Sequence, residues 1–163
     1  MVGQRHDDGD RSGLDDTSRS VADLLGGFVP QFLARRAIAV DVETDAREYE
    51  RGDTVSIRIT FRNRLPVPVT VTTPRRRLWG WAVDGELAAS DERPYTRREC
   101  GEFAFASRER KVKTREWDGR FERTGEVTEY PLAEAGEHEI SAFVATDDRR
   151  PSASTTIRLR ERE

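Results

Sequence analysis

The sequence predicts an all-β protein, an antiparallel β-sandwich of about seven to eight strands behind a short N-terminal helix or arm. Three observations carry that expectation. From residue 37 onward, apolar side chains recur at every second position, the period of strands with one buried and one solvated face. The segments between these runs hold turn chemistry: Gly52-Asp53, Asp84-Gly85, Asp118-Gly119 and Gly136. No stretch of helical spacing interrupts them. With 163 residues the chain has room for one domain and a tail, and for a core that needs no cross-links.

Taken in order, residues 1–20 combine Asp7, Asp8, Asp10, Asp15 and Asp16 with three glycines and almost no large apolar side chain. Burial cannot offset the ordering entropy of such a segment, which predicts a disordered acidic tail. Over residues 21–36, Leu24, Phe28 and Phe32 recur every four residues, as do Leu25, Val29 and Leu33. That spacing predicts a short helix or arm packing on the domain, interrupted by Gly26-Gly27 and Pro30. The sandwich then spans 37–163. In "AIAVDVET", Ile38, Val40 and Val42 alternate with Ala39, Asp41 and Glu43. "TVSIRITFRN" sets Val55, Ile57, Ile59 and Phe61 against Ser56, Arg58, Thr60 and Arg62. "VPVTVTT" follows, with Pro68 placing it towards a sheet edge. "RLWGWAV" puts Trp79, Trp81 and Val83 on one face, and "EFAFA", "RERKVKTREW", "EHEISAFVAT" and "ASTTIRLR" complete the strands.

Composition excludes several classes. The lone Cys100 rules out an intramolecular disulfide. No run reaches the roughly 18 apolar residues of a membrane span. "MVGQRHDDGDRSGLDD" has neither the basic leader nor the apolar region of a signal peptide. Arg35-Arg36 runs into a strand pattern rather than a twin-arginine export signal, so a cytoplasmic location is expected. There are 31 acidic and 28 basic residues, a net charge of −3 that favours neither an acidic nor a basic partner. Arginine outnumbers lysine 26 to 2, as GC-rich coding or a halophilic, salt-in proteome would produce.

The stretch "LAEAGEHEISAFVA" enters a strand through Gly136, with Ile140, Ala142 and Val144 alternating after it. It looks like the corner that opens a late strand of immunoglobulin-like domains, where a tyrosine bonds back to the corner backbone. His138 stands in that place, and a ring N–H can donate the same bond. The order "RRLWGWAVDGE", "EWDG", "AGEHEI" resembles the intracellular proteinase inhibitor family, immunoglobulin-like sandwiches that inhibit serine proteases. The resemblance covers residues 37–160. In it Trp79 and Trp81 match the early tryptophan strand, and Trp117 matches the tryptophan before the glycine corner. "ASRERK" stands where that family has a Pro-Gly-Glu turn. The resemblance implies an unidentified protein partner, a protease in the family's own case.

In "KVKTREW" a regular strand places Lys111, Lys113, Arg115 and Trp117 on one face, the composition of a platform for single-stranded nucleic acid. Three things favour a structural strand over that alternative. Glu109 and Glu116 dilute the stripe, the chain is not basic overall, and a bulge between Arg115 and Trp117 would separate them. Trp79 and Trp81, beside Val83, read as core rather than as a sugar-stacking pair. Arg51-Gly52-Asp53 reads as a turn, and Arg75-Arg76-Arg77 and Arg97-Arg98 as solvated charge. Cys100 has no histidine in its own segment, and only His6 and His138 occur in the chain. No catalytic pair, metal site, cofactor motif or phosphate loop follows from these residues, so a non-enzymatic binding module is expected.

Overall fold

Val55, Ile57, Ile59 and Phe61 are fully buried, while Arg58 and Arg62 on the same strand are exposed. The period-two pattern thus becomes one face of a sheet that needs a second apolar face against it. In the computed structural model, which describes residues 29–90, 99–123, 125–147 and 150–162, that second face is another sheet. The acidic tail expected over 1–20 lies outside the described residues, as do Leu24, Leu25 and Phe28.

One short helix, α1 (Gln31–Ala37), leads into β1 (Ile38–Thr44), β2 (Glu48–Glu50), β3 (Val55–Asn63), β4 (Val69–Thr73) and β5 (Trp79–Val83). Then come β6 (Glu86–Ser90), β7 (Gly101–Phe105), β8 (Arg110–Trp117), β9 (Gly136–Val144) and β10 (Ser152–Arg160). One sheet has the order β1-β3-β8, the other β2-β10-β9-β5-β6, and β4 with β7 forms a separate two-stranded ladder. All pairs are antiparallel except β2 with β10. The N-terminal strand therefore leaves one sheet after β1 and joins the other as β2, which gives an immunoglobulin-like β-sandwich.

Asp45 makes that crossing. Its carboxylate accepts from the Ser56 N–H at 3.0 Å and from the Tyr49 hydroxyl at 2.6 Å, tying β1, β2 and β3 at one corner. Among the described residues ten strands form rather than the expected seven to eight. β2 escapes sequence reading because three residues hold a single apolar side chain, Tyr49. β6, "ELAAS", lacks the β-branched and aromatic residues that mark a strand.

Between the sheets, Phe61 packs on Trp79 with ring centroids 5.6 Å apart and on Phe103 at 5.4 Å. Asn63 is fully buried; its amide donates to the carbonyls of Val67 and Ala106 and its oxygen accepts from the Leu65 N–H. One side chain thereby pins the β3–β4 and β7–β8 connections. Helix α1 differs from the apolar stripe read in the sequence. It buries Ala34 and Ala37, while Phe32 is 60% and Leu33 43% exposed. Methyl groups allow a two-turn helix to lie close against its neighbours. The Gln31 side-chain amide then covers the edge of β4, bonding Thr70 O at 3.0 Å and Thr72 N at 2.9 Å.

Two expectations follow from this packing. Trp79→Ala removes the aromatic contact between the layers and costs about 3–5 kcal/mol, read from urea denaturation. The second concerns acid. Hydrogen bonds from the Tyr49 hydroxyl and then the Ser56 N–H hold the Asp45 carboxyl below its ordinary range. The Ala106 N–H and then Lys111 do the same for Glu109. Stability from both carboxylates is present above the unfolded-state value of about 4 and lost as pH falls through the lower folded values. Tyr49→Phe removes the main donor to Asp45, so its urea midpoint falls less steeply than the wild type's between neutral pH and about pH 3.

Candidate functional site

The turn between β5 and β6 is Asp84-Gly85, with φ values of 50° and 79°, the left-handed pair that a tight hairpin requires. Asp84 also uses its carboxylate. Oδ1 accepts from the Glu139 N–H at 2.8 Å, and Oδ2 lies 2.6 Å from His138 Nδ1. The other ring nitrogen, Nε2, lies 2.8 Å from the Glu134 carbonyl. A carbonyl only accepts, so Nε2 donates, and this is the corner bond expected where immunoglobulin-like domains place a tyrosine. His138 therefore joins the β5–β6 turn to the corner ahead of β9. Gly136, at φ 145°, supplies the bend there. The imidazole lies 6.0 Å from the Trp117 ring and 6.4 Å from Phe121.

Residues 118–135 complete the wall. Trp117 Nε1 donates to Arg120 O, Phe121 N to Pro131 O and Ala133 N to Gly119 O, while Arg123 pairs with Glu129 through two backbone bonds. The segment is thus a laced hairpin. Arg123 reaches across to Glu86 on β6 with a two-pronged ion pair at 2.7 and 2.8 Å.

Between the β5–β6 hairpin, the end of β8 and this segment lies a cleft of about 480 Å³. Trp81, Trp117 and Phe121 form its apolar depth, and Leu87 and Tyr130, 47% and 55% exposed, stand at its mouth. Glu86, Glu116, Asp118 and Glu122 line it as well, against Arg120 alone. Arg120 is partly engaged, since its guanidinium donates to Tyr130 O at 2.8 Å. Trp81 is 3% exposed, and its buried Nε1–H has no acceptor among the described residues. The arrangement suits an apolar group with positive charge around it.

The residues singled out in the sequence fall in three places. Trp79, Trp81 and Trp117 are 1%, 3% and 4% exposed, with Trp81 and Trp117 bordering the cleft from inside the core. Gly136 and His138 form the corner beneath it. The β8 register against β3 is unbroken from Arg110 to Trp117, so no bulge separates Arg115 from Trp117. Lys111, Lys113, Arg115 and Trp117 accordingly share the inner, half-buried to buried face, while Val112 and Glu116 point outward. Lys111 sits 5.4 Å over the Phe105 ring and Arg115 4.8 Å over Trp79. Sequence reading missed Leu87, Phe121 and Tyr130. The available signal was two aromatics, in "FERTGEVTEYP", bracketing a glycine turn without strand alternation.

A family model matches residues 26–160, that of the family of unknown function DUF7974. The chain belongs to DUF7974. No curated protein matches it. Among solved structures, the DUF7974 domain is similar to the CARDB domain of the PF1109 protein from Pyrococcus furiosus. Identity there is 12% over 77% of this chain and 94% of that one, with a TM-score of 0.47. A β-glucosidase from Listeria innocua is 14% identical over 75% of this chain and 16% of its own, with a TM-score of 0.44. The alkylpurine DNA glycosylase AlkC from Pseudomonas fluorescens, bound to DNA with an abasic-site analogue, is 14% identical. It matches over 87% of the DUF7974 chain and 36% of its own, with a TM-score of 0.46. No helix among the described residues is long and apolar enough to cross a membrane.

The corner predicts a measurable dependence on His138. His138→Ala strands the Glu134 carbonyl and one Asp84 oxygen, costing about 1–3 kcal/mol in urea denaturation and shifting Trp117 emission to the red. His138→Tyr keeps a donor at the corner and recovers part of that loss.

Proposed function

We propose that this DUF7974 domain is a non-enzymatic protein-binding module that takes an apolar anchor flanked by basic side chains into the cleft. The observation that carries the reading is the composition of the cleft. Exposed Leu87 and Tyr130 lead into a buried aromatic floor of Trp81, Trp117 and Phe121, and carboxylates outnumber cations around it. A segment of a partner protein matches both features: a side chain for the apolar depth and Lys or Arg for the rim. His138 supports a non-enzymatic role, because both ring nitrogens are committed to structural partners. A protease is the narrower form of the same partner class, drawn from the resemblance of the tryptophan strands and the glycine corner to the proteinase inhibitors.

Selection of random displayed peptides on the immobilised full chain tests this. The expected consensus is one large apolar residue beside Lys or Arg, with binding that alters tryptophan emission. Leu87→Ser and Tyr130→Ala lie at exposed positions and leave the fold intact; each weakens a selected peptide about tenfold, the effect of truncating an interface anchor. Serine-protease assays with excess domain test the narrower form. Peptides indifferent to both substitutions would sink the proposal. So would salt-steep oligonucleotide binding that is lost when Lys111, Lys113 and Arg115 all become glutamine.

A further inference from the structure

The end of the sandwich opposite the cleft gathers arginines. Arg35 and Arg36 close the last turn of α1, Arg64 follows β3, and Arg150 precedes β10. With Ile38 and Ser152 these four side chains line a concavity of about 520 Å³. Arg108, in the β7–β8 turn, stands next to them and donates to the Arg64 carbonyl.

Elsewhere Arg51 pairs with Glu161, Arg76 with Glu99 and Arg123 with Glu86, while other described arginines, Arg58, Arg62 and Arg110 among them, form no ion pair. At this end several arginines gather about a single hollow. Among the described residues, Arg36, Arg64, Arg108 and Arg150 form no ion pair, although acids outnumber bases in the chain 31 to 28. The described carboxylates nearby do not compensate them. Glu109 is taken by Lys111 and the Ala106 N–H, and Asp147 is exposed without an ion pair.

Two of the guanidinium groups are also held in place. Arg64 donates to the Arg36 carbonyl, and Arg150 lies on the Phe143 ring at 4.1 Å. A guanidinium has five N–H donors, so one bond or one stacked face leaves a fork available. Like charges around one hollow repel each other, and an anion spanning two or more of Arg36, Arg64 and Arg150 removes that cost while satisfying their forks together. A singly charged carboxylate fills only one fork.

We infer that the concavity lined by Arg35, Arg36, Arg64 and Arg150 is a binding site for a multivalent oxyanion of the phosphate class. Bidentate guanidinium contacts hold it, and the Ser152 hydroxyl stands at the rim. The site lies at the far end of the domain from the cleft and does not depend on the partner proposed there.

Inorganic phosphate and pyrophosphate are the probes, titrated into the full chain against sodium chloride of equal ionic strength. The expected results are a rise in melting temperature beyond that given by chloride, and shifts of the Arg36, Arg64 and Arg150 side-chain Nε–H resonances. Combining Arg64→Gln with Arg150→Gln weakens pyrophosphate by about tenfold or more, the loss expected for charge-assisted bonds. Arg162→Gln, far from the hollow, leaves it unchanged. Vesicles carrying phosphatidic acid separate the two sources of such a group. Co-sedimentation that phosphate reverses assigns the site to a lipid head group, and phosphate binding without co-sedimentation assigns it to a free ion. The inference fails if phosphate stabilises no more than matched chloride, or if the effect survives in the double variant. It fails also if the resonances that move belong to other arginines, a readout on the wild type that holds even if a variant misfolds.

Discussion

Phe61 against Trp79 is the contact on which the rest of this domain depends. It joins β3, the central strand of the three-stranded sheet, to β5, an interior strand of the five-stranded one. Each sheet has one apolar face, and neither face is stable in water without the other. Phe61 also meets Phe103 from the β4–β7 ladder, so the third element is fastened to the same ring. Everything that lies at the two ends of the sandwich is positioned by strands whose register this core fixes.

The edges of the sheets show how the fold remains open to a partner without pairing indiscriminately. Among the described residues β8 pairs on one side only, with β3. Its inward face carries Lys111, Lys113 and Arg115 instead of apolar side chains. Inward-pointing charges on an edge strand deter pairing with another chain, because a second strand would bury them further. Lys111 and Arg115 meanwhile place their cations over the Phe105 and Trp79 rings. The basic stripe that suggests a nucleic-acid platform is thus largely spent on roofing the core.

Charge is sorted between the ends. The β5–β6 turn, the end of β8 and the 118–135 segment bring Glu86, Glu116, Asp118 and Glu122 to one end. The α1–β1 junction and the β3–β4 and β9–β10 connections bring Arg35, Arg36, Arg64 and Arg150 to the other. A net charge of −3 conceals this polarity. It arises because successive connections in an antiparallel sandwich alternate between ends, so residues far apart in sequence collect in two groups.

The sequence by itself determined the class of fold, because period-two burial and Asp-Gly turns are local properties that each strand displays alone. It also marked the corner, where Gly136 and His138 stand at a recognisable spacing. The packing role of α1 was not legible, since the choice between burying Phe32 or Ala34 depends on how closely the helix can approach its neighbours. The strands β2 and β6 were hidden because their partners, not their own side chains, make them strands. The cleft and the arginine hollow were decided only by the tertiary structure. Each is assembled from segments widely separated in sequence, and a concavity is a relation between surfaces that no single segment carries.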